Sequence, residues 1–240
     1  DDFYLGLSNK CIWPLFHYFK QHFQFDEQQW ESYVKVNQKF ADAILEEIEA
    51  GDQVWVHDYQ LLLVPEMVKS VRKEVTIGFF LHIPFPSFEI FRIFPKREEL
   101  LKGMLGSDLI GFHTYDYERH FLSSVRRILH LNVNFNLIQQ TDREIEVNTF
   151  PMGIDYEKFE NTAQAHTKSK KETYSPLRIE LEKHKELNHG KIILSIDRLD
   201  YTKGVINRVK SFELFLKQYP EYKEKVRLLM VLVPSRSNVS

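Results

Sequence analysis

Short, continuously apolar runs alternate with helical patterns along most of this chain, and that alternation limits the folds open to it. Gln53-Val54-Trp55-Val56, Val75 to Leu81, Asp108 to Phe112, 191–197 and 226–233 read as strands apolar on both faces. Between them, Tyr33, Val36, Phe40, Ile44 and Ile48 recur at spacings of three and four, a helix that Gly51 is expected to end. A helix through about Val71 follows the first strand, and 89–105 is expected to stay helical despite Pro95. Thr114 is expected to cap a helix that uses Phe121, Leu122, Val125 and Leu129, and 204–218 reads as another. Strands of this kind occur in parallel sheets covered by helices on both sides, so the pattern predicts a doubly wound α/β fold. Residues 133–150 differ, with two strand-like runs flanking Thr141-Asp142-Arg143 as a hairpin added to the sheet. The stretch 157–190 is polar, expected to be loop-like over Asn161 to Ser169 and helical over 177–187, and to contain a domain boundary. The division expected is 1–186 for one nearly complete domain and 187–240 for the beginning of another.

Doubly wound sheets bind ligands at the C-terminal ends of their strands. Polar residues fall there repeatedly: His57-Asp58-Tyr59, His82 to Pro86, His113-Thr114, Arg198 with Lys203, and Pro234-Ser235-Arg236. The strand Ile192 to Ile196 runs through Asp197-Arg198-Leu199-Asp200-Tyr201-Thr202-Lys203 to Gly204, where an amphipathic helix begins. A helix N-terminus favours an anion, Arg198 adds a planar fork of donors and Lys203 a compact ammonium. Two cations at a strand-to-helix turn read as a diphosphate clamp. The competing reading pairs them with Asp197 and Asp200 as solvated loop charges.

The formal net charge of −2, from 32 basic and 34 acidic residues, gives no field that argues for nucleic acid or an anionic membrane. The single cysteine, Cys11, excludes an internal disulfide, sits among apolar residues and reads as a small buried side chain. No CxxC or CxH spacing suggests zinc. No signal peptide is recognisable, and no apolar run approaches the roughly 20 residues of a membrane helix, so a cytoplasmic protein is expected. The chain opens without Met and stops after a strand signal, which reads as a fragment.

Seven strings extend the argument. Trp55 to Leu61 (WVHDYQL), Phe80 to Ser87 (FLHIPFPS), Gly111 to Tyr117 (GFHTYDY) and Asp197 to Gly204 together resemble the trehalose-6-phosphate synthase family. Trp13 to Tyr18 (WPLFHY), Phe150 to Asp155 (FPMGID) and Val233 to Arg236 (VPSR) continue the likeness in order along almost the whole chain. The resemblance implies a GT-B fold, two Rossmann-like domains facing across a cleft, with 1–186 on the acceptor side and 187–240 beginning the nucleotide-sugar domain. It implies transfer of glucose from UDP-glucose to glucose 6-phosphate with retention, giving trehalose 6-phosphate and UDP, with no cofactor and no essential metal. The absence of a DxD string from these 240 residues agrees with a metal-free clamp.

The resemblance also assigns roles. Arg198 and Lys203 match the pair that binds the donor diphosphate, and His82 the histidine beside the donor glucose. Asp58 matches a residue touching acceptor hydroxyls, while Tyr4, Trp13 and Arg236 match the glucose 6-phosphate pocket. Each has a plainer alternative: His82 capping a turn, Asp58 bonding turn amides, Tyr4 and Trp13 as core aromatics, Arg236 as a solvated charge. His57, His113, Trp55 and Trp30 are read as structural, with His57 turned away from Asp58 by strand alternation. No carboxylate is matched to a nucleophile, and the family's front-face attack lets the leaving phosphate take the acceptor proton, so Asp58 is not assigned as a base. Phe88 stands where the family usually has a small residue. A glycine-rich loop carrying an arginine for the acceptor phosphate is expected before Asp1, and acidic donor-binding residues after Ser240. The 240 residues alone are therefore expected to be inactive. Two other readings stay open: a non-catalytic regulatory or scaffold subunit of a trehalose synthase complex, and a related glycosyltransferase with another phosphorylated acceptor. Homo-oligomerisation and fusion to a trehalose-phosphatase domain also stay open.

Overall fold

Three of the apolar runs, joined by one strand of the 133–150 region, pair side by side in parallel. In the computed structural model, which describes the backbone of 1–168 and 191–234, β1 (Gln53–His57), β2 (Thr76–Phe80), β3 (Leu109–Phe112) and β6 (Glu144–Thr149) form the parallel body of one sheet. β5 (Leu137–Gln139) and β4 (Asn132–Asn134) continue it antiparallel, in the order β1-β2-β3-β6-β5-β4. The expected hairpin is β5–β6. Its second arm is also the parallel neighbour of β3, and the third strand β4 was not anticipated.

Helices cover one face of this sheet. A wide helical segment, Asp2–Ile12, runs directly into α1 (Trp13–Phe16). α2 (Glu27–Glu47) starts at Asp26, whose carboxylate accepts the Gln29 N–H at 3.0 Å. α3 (Val64–Lys69), α4 (Phe88–Phe91), α5 (Arg97–Met104) and α6 (Tyr115–Ser124) follow. They bury Val56, Ile77, Phe79, Ile110, Phe112 and Val147 from the strands. The 89–105 segment is two helices rather than one. Proline lacks the N–H a helix interior needs and clashes with the preceding turn, so the chain turns at Pro95 between α4 and α5. Thr114 does sit at the start of α6, but its side chain makes no cap; its carbonyl accepts from Tyr117 and Glu118 instead. The opposite sheet face does not have the expected cover among the described residues. Trp55, His57, Gly78, Phe80 and Leu109 line an open apolar groove of about 580 Å³ there.

At the N-terminal end of β3, Asp108 ties three elements together. One carboxylate oxygen accepts from Lys69 Nζ and from the Ile77 N–H, the other from Arg143 Nη1 at 3.1 Å. Arg143 also donates to the Ser107 carbonyl, and Lys69 to that of Val75. Asp108→Ala strands two cations and an amide that are mostly removed from water. It is expected to cost about 1–3 kcal/mol in urea unfolding, more than the change of an ordinary surface acid.

Contacts divide the chain into two units, Asp1–Gly153 and one beginning at Ile154. The second contains α7 (Tyr156–Lys168), where a loop was expected from Asn161. The Asp155 carboxylate accepts the Lys158 N–H and starts this helix, and its polar composition suits an exposed one. β7 (Lys191–Leu199) and β8 (Val226–Pro234) then pair in parallel, joined by α8 (Val205–Gln218), a βαβ unit as the restart of the pattern predicted. The boundary at 186/187, the helix over 177–187 and Arg236 lie outside the described residues.

Candidate functional site

Strand β1 ends at His57, and Asp58 leaves it with φ 72°, a conformation uncommon for any residue but glycine. The kink is held on three sides. Asp58 N–H donates to the Phe80 carbonyl at 2.8 Å, while Asp58 Oδ1 accepts from the Tyr59 N–H (2.9 Å) and the His82 N–H (3.2 Å). The plainer reading of Asp58, a carboxylate bonding turn amides, therefore holds, and the same bonds set the β1 loop against the β2 loop. His57 lies on the same face of β1 as Trp55, toward the groove that His82 also lines. Its Nδ1 lies 2.9 Å from His82 Nε2, with the two rings stacked. Phe80 and His113 flank the His82 ring at centroid distances of 4.8 and 5.6 Å. Burial holds the His82 imidazole below its ordinary pKa; the Asp58 carboxylate opposes this, and His57 and His113 add to it. Among the described residues no group of three His, Cys, Asp or Glu side chains is placed to hold a metal ion.

The Asp2–Ile12 segment reaches the same region. Asn9 Nδ2 donates to the Tyr4 carbonyl, and Asn9 Oδ1 accepts from Tyr59 OH at 3.1 Å. Trp13 is 6% exposed, its ring 5.6 Å from that of Tyr59, whereas Tyr4 is 44% exposed. From behind, α2 fixes the turn after Asp58. Tyr33 OH donates to the Tyr59 carbonyl at 2.7 Å, and buried Asn37 donates to the Gln60 carbonyl and accepts from the Leu63 N–H. One network thus gathers Tyr4, Trp13, Asp58 and His82. It also adds His57 and Tyr59, which fall at the end of β1 but were given no role, and Asn9, which the strand-end pattern did not single out. Phe88 begins α4 and carries the Arg127 guanidinium over its ring at 4.8 Å.

In the second unit, neither acid of the Asp197–Gly204 loop pairs with Arg198 or Lys203. Asp197 is taken by Arg208 of α8, which also donates to Ser195 Oγ and the Lys203 carbonyl. Asp200 accepts from the Thr202 N–H and hydroxyl at 2.9 and 2.8 Å, closing the turn that Gly204 finishes at φ 63°. Arg198 and Lys203 have no side-chain acid partner among the described residues, and Arg198 is exposed. Lys203 comes just before the 14-residue helix α8, whose N-terminal N–H groups favour an anion, and Arg198 lies near the end of β7, five residues earlier.

The whole chain, residues 1–240, matches the model of glycosyltransferase family 20. A UDP-forming alpha,alpha-trehalose-phosphate synthase of Schizosaccharomyces pombe is 45% identical over 243 residues, covering 100% of this chain and 46% of that protein. The 56 kDa subunit of the Saccharomyces cerevisiae synthase is 46% identical over 98% of this chain and 47% of its own. The chain spans about half the length of the curated relatives it matches. Among solved structures, a Burkholderia xenovorans UDP-forming synthase in complex with glucose-6-phosphate superposes at TM-score 0.89 and 29% identity, covering 99% of this chain and 51% of that one. An E. coli trehalose-6-phosphate protein bound with UDP-2-fluoro glucose gives 0.89 and 30%, over 100% and 52%. The N-terminal domain of Candida albicans trehalose-6-phosphate phosphatase gives 0.80 and 38%, over 97% and 49%. These neighbours give the chain a GT-B type α/β architecture.

Proposed function

The chain belongs to glycosyltransferase family 20, and we propose that its protein transfers glucose from UDP-glucose to glucose 6-phosphate, forming trehalose 6-phosphate and UDP. The observation that carries the reading is the loop from Asp197 to Gly204. Its acids are consumed internally by Arg208 and Thr202, so among the described residues neither Arg198 nor Lys203 has a side-chain acid partner. A departing nucleoside diphosphate needs positive charge most as its bond to the sugar breaks, and donors fixed beforehand stabilise that state without reorganisation. The first unit supplies the sugar-binding counterpart: His82 toward the donor glucose and Asp58 toward acceptor hydroxyls. Tyr4 and Trp13, with Arg236, serve the glucose 6-phosphate pocket, Arg236 because a guanidinium meets phosphate oxygens bidentately. Residues 1–186 then act on the acceptor side and 187–240 begin the nucleotide-sugar domain. The protein's main work in this scheme is positioning two substrates and stabilising an oxocarbenium-like state, with no base assigned to Asp58. The relatives' printed names, and the glucose-6-phosphate and UDP-sugar analogue in two solved neighbours, support both substrates.

A second reading, a non-catalytic regulatory or scaffold subunit of a trehalose synthase complex, draws on the likeness to the N-terminal domain of a trehalose-6-phosphate phosphatase, a protein named for a different activity. Incubating the full-length protein with UDP-glucose and glucose 6-phosphate separates the two. Trehalose 6-phosphate, identified by mass spectrometry, is the expected product. Tight UDP binding without that product would move the acceptor to another phosphorylated compound. Loss of both product and nucleotide binding would favour the regulatory reading.

A further inference from the structure

We propose that His57 is a positioning residue that commits His82 Nε2 to a protein hydrogen bond, fixing one ring orientation, coupling the tautomers of the two rings and leaving Nδ1 to face a ligand. The inference rests on the reading of His82 as a sugar-binding residue, but its physical content is independent of the reaction. His57 Nδ1 and His82 Nε2 stand 2.9 Å apart, at hydrogen-bond distance. One of two imidazoles bonded in this way must donate and the other accept, so the pair cannot carry a proton on both facing nitrogens. Whichever ring supplies the proton, His82 Nε2 is occupied. Its Nδ1 has no partner among the described residues.

Three features hold the pair in register. The strands bearing the two residues are adjacent, with His57 opposite Phe80 in the β1–β2 ladder. The Asp58 carboxylate grips the His82 backbone N–H, so the two loops cannot slide apart without losing it. Trp55 packs on the far side of His57, its ring centroid 4.4 Å away. An isolated imidazole samples both tautomers, and a sugar hydroxyl that needs a donor loses its bond when it meets the acceptor form. A second imidazole on Nε2 couples that choice to its own: His82 Nδ1 is a donor when His57 donates to Nε2 and an acceptor when His57 accepts, the logic by which the partner of a histidine ring sets which nitrogen does the chemistry. Asp58, His57 and His113 are the titratable neighbours that act on His82. Of these, only His57 contacts a ring nitrogen.

The test uses the full-length protein and two substitutions. His57→Phe keeps an aromatic ring against Trp55 and removes the bond, while His57→Asn keeps a polar atom near the Nδ1 position. Nitrogen-15 spectra of the imidazoles should find His82 Nε2 hydrogen-bonded in the wild type and in His57→Asn, and released in His57→Phe. With UDP-glucose and glucose 6-phosphate, kcat should fall about tenfold in His57→Phe, the worth of one hydrogen bond, and recover to within about threefold in His57→Asn. KM for both substrates should stay within about twofold. An unchanged His82 Nε2 resonance in His57→Phe overturns the proposal, as does an equal loss of kcat in the two variants. A wild type without activity would count against the function proposed above, and the spectra would still decide the role of His57.

Discussion

Phe85→Ala is expected to destabilise the first unit by about 3–5 kcal/mol, the range for deleting a fully buried aromatic ring. Phe85 lies two residues beyond Ile83 in the His82 to Pro86 loop, yet it is 0% exposed. Its ring packs edge-on against Phe16 (5.5 Å between centroids) and Phe121 (5.3 Å), and tilted against Phe91 (4.9 Å). Phe112 from β3 closes the cluster at 6.1 Å. Those neighbours come from α1, α4, α6 and β3, so no single element can move in to fill the space, and the cavity penalty should be nearly complete. Because His82 is carried on the same loop, loosening Phe85 should also lower activity in the protein that remains folded. Phe85→Leu retains much of the volume and should lose less than half as much stability. Urea unfolding followed by circular dichroism measures both. A cost below about 1 kcal/mol for the alanine variant would mean that the loop is anchored elsewhere.

Much of the fold was legible because burial on two faces leaves an unbroken apolar run, and each such run became a parallel strand. The clamp loop was legible for a similar reason: a strand, a short polar turn and a glycine before an amphipathic helix admit few geometries. What escaped depended on contacts that sequence distance hides. His57 was read as structural from its own strand, which turns it away from Asp58; its contact is with His82 after the neighbouring strand, a pairing that one strand's residues do not show. Arg208 takes Asp197 from a helix that starts well beyond it, so the acid beside Arg198 looked available when it was not. Helix α7 was mistaken for a loop because an exposed helix needs no apolar stripe, which removes the periodic signal that identifies a buried one. The break at Pro95 was visible in the sequence, and the apolar spacing around it was given too much weight.

Arg198→Ala in the full-length protein should lower kcat by about 10²–10³, or about 3–4 kcal/mol of transition-state stabilisation, while KM for glucose 6-phosphate changes little. The acceptor makes no use of this loop in the proposed scheme, so its binding should survive. Lys203→Ala should act in the same direction with a smaller loss, because a single ammonium offers no bidentate contact. Arg198→Lys restores the charge without the fork and should recover only part of the activity, which separates simple neutralisation from shaped recognition. The two alanine substitutions weaken stabilisation of one leaving group, so their combined effect should fall short of the sum of their separate free energies. The structure makes this a sharp test because Arg198 and Lys203 pair with no acid among the described residues, and removing either charge breaks no ion pair there. Unfolding midpoints of both variants should stay within about 0.5 kcal/mol of the wild type. Wild-type kcat in Arg198→Ala would remove the clamp from the mechanism. A large loss of stability would assign the arginine to the fold rather than to the departing diphosphate.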